Sequence, residues 1–353
     1  MVWSSSMDFR YSITKELLRS FVAIGALEER LKTLSLAPSL RTSLNLETKI
    51  RSSHFSSKIE GNCLTLQQTE AVLKGKRIQA PKRDIQEIKN LFAIFDFLME
   101  PSQETKPLTT NLICTIHRLV EKNIVRGKLL GRYRESQNAV FNATTGQVVY
   151  MPPEAKDVPM LMSELIDQLN RNTWEHCLIT AAVAHFGLVT IHPFMDGNGR
   201  TARALSTLTL LRGQLNFVRL MAWDEYFFHH RQEYYHLLHN AQGDNFYHRN
   251  RVWDIQSWIN FFVSGVEQAI TNFLNELQTT ELAFPLNHRQ EKVLRFLKRR
   301  SAITNREYRE LNKVSNFTAV IDLRSLETQG FIKRLGQGRS SRYVFITAFS
   351  TRR

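Results

Sequence analysis

The run His192-Pro-Phe-Met-Asp-Gly-Asn-Gly-Arg-Thr-Ala-Arg203 collects residue types that suit phosphate chemistry. His192 carries an imidazole whose ordinary pKa lies near neutrality, suited to taking a proton from an incoming hydroxyl. Asp196 supplies a hard oxygen for Mg²⁺. Gly197 and Gly199 permit backbone conformations closed to other residues, so successive N–H groups can turn inward as an anion nest. Arg200 and Arg203, three apart, share one turn of a helix and can hold different phosphates of one polyphosphate chain. Together these are the parts of a phosphoryl- or nucleotidyl-transfer site, where catalysis is mainly positioning and charge neutralisation.

The flanking segments say what must position this run. Residues 177–191 are apolar throughout but too short to span a bilayer, and with His185 inside them they predict a buried helix and no membrane partner. Ala204, Leu205, Leu208 and Leu211 predict a second helix beginning near Arg200, whose N-terminal dipole would reinforce the anion nest. Helical periodicity also covers residues 85–99 and 108–122, so most of the first 285 residues reads as all-α. One interruption is β-like: Val140-Phe141, a turn at Thr144-Thr-Gly146, then Val148-Val-Tyr150 ahead of Pro152-Pro153. A lone hairpin is marginal by itself, so it must lie on the helices, where it can serve as a flap for an extended peptide. Two other phosphate loops fail on sequence. A dinucleotide turn needs a third glycine where Ala202 stands, and a Walker A loop needs Gly-Lys-Ser/Thr.

The run resembles the Fic-domain signature H-P-F-x-[DE]-G-N-G-R-x-x-R at every defined position. The resemblance implies transfer of AMP from ATP to a Ser, Thr or Tyr hydroxyl of a target protein, with ATP and Mg²⁺ as cofactors. It implies that His192 is the general base, Asp196 the metal ligand, and Gly197, Asn198 and Gly199 the anion hole. Arg200 would grip the α/β phosphates and Arg203 the γ-phosphate, with Thr201 and Ala202 completing the ATP-binding stretch. Tyr234, Tyr235 and Asn240 stand where such proteins usually hold adenine, although a Tyr-Tyr pair in a helix is equally often core. Upstream, Ser56-Ser-Lys-Ile-Glu-Gly resembles the inhibitory-helix motif [ST]-x-x-x-E-[GN] of class II members. That places Ser56 and Glu60 on one helix face and implies that Glu60 pairs with Arg203 in place of the γ-phosphate; the same glutamate would also suit removal of AMP from the target. Arg132 and Arg134 are open between steering phosphate and anchoring the flap. His229, His230, His236 and His239 lack a companion ligand type and read as solvated or core histidines.

The 353 residues, 42% of them hydrophobic, are those of an ordinary globular protein, and 47 Lys and Arg against 33 Asp and Glu give a net charge of +14. The excess is uneven, because residues 286–353 hold sixteen Lys or Arg against five Asp or Glu. A boundary is expected at Leu282–Pro285, giving an N-terminal helical region with the inhibitory helix (1–105), a Fic core (106–285) and a basic C-terminal domain (286–353). In that last segment the pattern is three helices and then a hairpin. His288–Arg299 comes first, Thr304 with Glu307 forms a capping box, Ser315 caps a third helix, and strands at 331–335 and 341–346 flank Gly336–Arg339. This resembles a winged helix-turn-helix, so the expected fold class is an all-α Fic domain with a small β-hairpin flap plus a C-terminal α+β domain. Arg289, Arg295, Lys298, Arg299, Arg300, Arg339 and Arg342 suit DNA phosphates, with Asn316, Thr318 and Arg324 as base readers. Val320 and Ile321 suit a protein contact instead, and DNA binding, target docking and homodimer formation all stay open. Cys63, Cys114 and Cys177 show no disulfide or zinc spacing, and the first seven residues lack the basic start and apolar run of a secretion signal, so a reducing, cytoplasmic setting is the simple expectation. Two alternatives to protein adenylylation remain: transfer of another nucleotide or phosphoryl group, and an ATP-sensing DNA-binding regulator.

Overall fold

The computed structural model describes residues 7–33, 38–142, 145–171, 176–281, 286–297, 300, 302–336 and 341–345. The expected boundary at Leu282–Pro285, Thr144, the wing tip beyond Gly336, Lys298, Arg299 and Arg339 lie outside the described residues. In chain order the helices are α1 (Lys15–Thr33), α2 (Pro38–Ile59), α3 (Leu66–Leu73), α4 (Lys82–Leu98), α5 (Pro101–Thr105), α6 (Thr110–Val120), α7 (Val158–Arg171), α8 (Cys177–Ile191), α9 (Asn198–Arg212), α10 (Glu225–His229), α11 (Arg231–Gln242), α12 (Gln256–Glu281), α13 (His288–Leu297), α14 (Asn305–Asn312) and α15 (Asn316–Thr328). The strands are β1 (Asp8–Arg10), β2 (Val140–Phe141), β3 (Val148–Tyr150), β4 (Val252–Asp254), β5 (Ile303–Thr304), β6 (Ile332–Leu335) and β7 (Arg342–Phe345). The chain divides into two compact units, one of Met1–Arg30 with Glu47–Thr271 and one of Leu31–Leu46 with Asn272–Arg353. Among the described residues no helix is long and apolar enough to cross a membrane.

The first unit is organised around α8 and α9. Nearly every residue of both is buried, which accounts for the lack of a polar face in the α8 sequence. Helices α4, α5, α6 and α7 pack around the pair, and Trp223, Phe227, Trp258 and Phe262 form an aromatic cluster. Burial of each large apolar side chain contributes on the order of 1.5–3 kcal/mol. Polar side chains inside the pair bond to backbone, as Ser206 Oγ does to the Ala181 carbonyl at 3.0 Å. The expected hairpin forms as antiparallel β2–β3, with a register irregularity between Val140 and Phe141. It rests on the helices because the buried Tyr150 hydroxyl donates to the Thr190 carbonyl at 2.8 Å. Strands β1 and β4 pair in parallel, with Phe9 opposite Trp253.

The second unit packs α13, α14 and α15 against a three-stranded sheet of order β5-β7-β6. Val293, Leu297, Tyr308, Ala319, Leu323, Leu326 and Ile332 form its core. The capping box Thr304/Glu307 and the Ser315 cap form as the sequence indicates. Strand β5, two residues long, has no counterpart in the sequence reading. Buried Asp322 accepts from Asn287 Nδ2 (2.7 Å), Arg289 Nε (2.8 Å) and the Tyr308 hydroxyl (2.9 Å), tying α13, α14 and α15 together. Burial alone would raise its pKa, and these three donors more than reverse that.

Candidate functional site

The bend between α8 and α9 is the geometric centre of the site. His192 ends α8 in the left-handed conformation (φ 52°, ψ 55°), and Pro193 after it cannot continue the helix. The ring is half-buried, and desolvation lowers its pKa to about 4, so it is neutral at pH 7. Nδ1 lies 3.2 Å from the Val189 carbonyl, which can only accept, so Nδ1 carries the proton and Nε2 offers a lone pair. Gly197 stands at φ 76°, and a Cβ there would run into the Glu121 carboxylate, so any side chain at this position would force Glu121 to move. The side chain of Asn198 does not face a ligand. Its Oδ1 accepts from the Phe194 N–H (2.9 Å) and its Nδ2 donates to the Phe194 carbonyl (2.8 Å), so it closes the bend and leaves only backbone for an anion. Thr201 and Ala202 are fully buried in the first turns of α9.

Charges are arranged in two layers behind this bend. Arg200 is 3% exposed and lies 2.9 Å from Glu87 Oε1, 3.0 Å from Glu121 Oε1 and 3.3 Å from Asp196 Oδ1. Neither glutamate was legible as a site residue. Glu121 is fully buried, and desolvation pushes its pKa up to about 7 despite Arg200. Asp196 Oδ1 accepts from the Gly197 N–H at 2.6 Å, and its Oδ2 accepts from Arg83 Nη2. Burial would raise the Asp196 pKa, but Arg200 and Arg83 hold it below the usual carboxylate range. His117 fixes the loop from beneath: Nε2 donates to the Asp196 carbonyl (3.1 Å) and Nδ1 accepts from the Gly131 N–H (3.0 Å), with the ring stacked on Phe194.

Arg203, 2% exposed, has its guanidinium fully engaged. Nε donates to Ser56 Oγ and Nη2 to both the Ser56 carbonyl and Glu60 Oε1, each at 2.8 Å, while Nη1 reaches the Tyr234 hydroxyl at 3.5 Å. Ser56 and Glu60, predicted on one face, thus meet the same arginine from the C-terminal end of α2. Burial would raise the Glu60 pKa, and Arg203 with Arg200 keeps the group ionised. Glu60 also overhangs the bend, since a Cβ on Gly199 would run into its carboxylate. Asn62 fastens this turn by donating to Glu87 Oε2 and the Asp84 carbonyl, each at 3.0 Å. Farther back on α2, Arg51 pairs with Glu225 and Ser52 with Asp224.

The remaining expected residues divide. Tyr234 is buried and bonds His185 at 3.1 Å, a core role that also backs Arg203. Tyr235 is 41% exposed and donates to the Ile59 carbonyl at 3.0 Å, beside the turn that carries Glu60. Asn240 is exposed and bonds His236, not the bend. Buried Arg134 anchors the flap, donating to the carbonyls of His192 (3.0 Å) and Pro153.

No group of three His, Cys, Asp or Glu side chains among the described residues can hold a metal ion by itself. One ionised carboxylate beside the N-terminus of α9 does fit Mg²⁺ of the kind that completes its shell with water and substrate phosphates. The arrangement can present a neutral imidazole to an alcohol, and a polyphosphate would reach the Arg203 guanidinium by displacing the Glu60 carboxylate.

A family model described as Fic/DOC matches residues 107–210. A protein adenylyltransferase Fic from Nematostella vectensis is 29% identical over 263 residues, covering 71% of this chain and 55% of that protein. Protein adenylyltransferase fic-1 from Caenorhabditis elegans is 28% identical over 277 residues, covering 76% and 49%. The chain spans about half the length of the curated relatives it matches. Among solved structures, a Fic family protein from Desulfovibrio desulfuricans G20 is 26% identical with a TM-score of 0.66, over 98% of this chain and 100% of that one. A fragment of Fic-1 from C. elegans is 25% identical with a TM-score of 0.59, over 74% and 73%. Residues 107–210 thus carry the Fic/DOC match, and over most of its length the chain is similar to proteins named protein adenylyltransferase Fic.

Proposed function

We propose that the chain is a protein adenylyltransferase that moves AMP from ATP to a Ser, Thr or Tyr hydroxyl of a target protein and is held back by Glu60. The observation that carries this reading is the bend itself, with the N-terminus of α9 opening at Gly197, two buried arginines, one ionised carboxylate and His192 Nε2 unprotonated. ATP would lay its triphosphate along the N-terminus of α9, with Arg203 on the γ-phosphate and Arg200, behind its glutamates, supplying charge to the α/β region. Mg²⁺ bound to Asp196 would supply charge neutralisation for the phosphates. His192 Nε2 takes the proton of the target hydroxyl as its oxygen bonds to the α-phosphorus. The bond from that phosphorus to the α,β-bridging oxygen breaks, and pyrophosphate leaves. Val148 on β3, half exposed at the flap, suits alignment of an extended target segment beside this point. Tyr235 and Asn240 then flank the nucleoside end, and Tyr234 supports Arg203.

The domain division 1–105, 106–285 and 286–353, with the last a winged helix-turn-helix, belongs to the same reading. Its support is the helix order α13, α14, α15 followed by the β6–β7 hairpin, and the positive charge there favours DNA phosphate. Phe317, Val320 and Ile321, all exposed on α15, favour a protein surface instead, so a gel-shift series in salt is the test for that segment. For the enzymatic reading the test is label transfer from Mg·ATP in the Glu60→Gly variant. Label from the α-phosphate is expected in protein and label from the γ-phosphate is not; the reverse pattern would make the protein a kinase.

A further inference from the structure

Asp196 Oδ1 is occupied by the Gly197 N–H and Arg200, so Oδ2 is the oxygen left for a cation. Among the described residues that oxygen is met by one group, Nη2 of Arg83. Arg83 sits on the first turn of α4, its side chain 54% exposed, and Glu87 steadies its Nε at 3.1 Å. Glu87 in turn contacts Arg200 and accepts from Asn62 of the inhibitory turn. A divalent ion and a guanidinium placed on one carboxylate oxygen repel each other, and an exposed arginine is free to swing into water.

We propose that Arg83 is a built-in counter-cation for Asp196, a positioning residue that stands where the metal would bind and sets how strongly nucleotide binding depends on a divalent ion. The inference rests on the proposed nucleotide site. Without metal, Arg83 shields the incoming phosphates from the Asp196 carboxylate; with metal, it is displaced and its pairing energy is subtracted from metal affinity. The dependence is therefore expected to steepen when Arg83 loses its charge.

The test is calorimetric binding of ATP to the Glu60→Gly, His192→Ala protein, in EDTA and in saturating Mg²⁺, with and without Arg83→Gln. The ratio of the two dissociation constants, EDTA over Mg²⁺, is expected to rise about fivefold in Arg83→Gln, the scale of one half-exposed ion pair. Arg83→Lys, which keeps the charge, is expected to restore most of the parent ratio. A ratio unchanged or lowered by Arg83→Gln, with ATP still bound, overturns this inference alone. Failure of the parent protein to bind ATP under either condition overturns the nucleotide site and this inference with it.

Discussion

Replacing Glu60 with glycine isolates the contact on which the proposed autoinhibition depends. The Glu60 carboxylate lies 2.8 Å from Arg203 and occupies space over Gly199, where the γ-phosphate of the proposed site would lie. A phosphate oxygen about 4 Å from that carboxylate would be repelled by about 4 kcal/mol at an effective dielectric of 20. Because the Glu60 side chain is 32% exposed, solvent reduces this to about 1–2 kcal/mol. Removal should then tighten ATP binding by about 5–30-fold. Arg203 should stay in place, because Ser56 still accepts from its Nε and Nη2. Glu60→Gln separates charge from bulk: if repulsion dominates, glutamine behaves like glycine; if bulk dominates, it behaves like wild type. The assays are calorimetric ATP binding and incorporation of α-labelled ATP. Equal affinity and equal labelling in wild type and Glu60→Gly would show that Glu60 does not hold ATP off, whatever Glu60→Gln does.

Asn198→Ala removes both bonds that close the bend on Phe194 and leaves buried backbone groups without partners, so unfolding free energy should fall by about 2–4 kcal/mol in urea melts, whereas a loss under 1 kcal/mol would mean the bend is held by something else. Acid should weaken the first unit. Burial lowers the pKa of His54 and of His117 to about 4, so between pH 6.5 and 4 the unfolded chain takes up protons that the folded chain refuses. Stability is therefore full above pH 6.5 and declines as pH falls, by about 2 kcal/mol per histidine at pH 5. All five tryptophans precede residue 259, so their fluorescence follows this unit in melts at pH 7 and pH 5, and identical midpoints would contradict the burial argument.

What could be read without coordinates was local. The α8 helix, the bend after it, the Thr304/Glu307 box and the Ser315 cap are patterns contained within a few residues, and the backbone follows them. The meeting of Glu60 with Arg203, 143 residues apart, was reached through a family resemblance and not through periodicity. Contacts with neither kind of signal were missed. Glu87 and Glu121 look like ordinary helix carboxylates in sequence, and burial by tertiary packing alone makes them a clamp on Arg200. Arg83 on Asp196 and His117 beneath the bend are likewise long-range polar contacts without a sequence period, whereas flap anchoring by Arg134 was one of the two readings left open for it. Strand β1 pairs with β4 across more than 240 residues, and β5 is only two residues long. Asn198 shows a subtler limit, because its type suits an anion site while its side chain is spent on the loop.

In the proposed mechanism the bend from His192 to Arg203 cradles a triphosphate with the imidazole facing its innermost phosphorus. A crystal structure of the Glu60→Gly protein with Mg²⁺ and a non-hydrolysable ATP analogue tests it most directly. Phosphates are expected against the backbone of Gly197–Gly199, the γ-phosphate on Arg203, and His192 Nε2 open toward the α-phosphorus along the flap. A triphosphate bound elsewhere, or seated there with Nε2 turned away from the α-phosphorus, would contradict it.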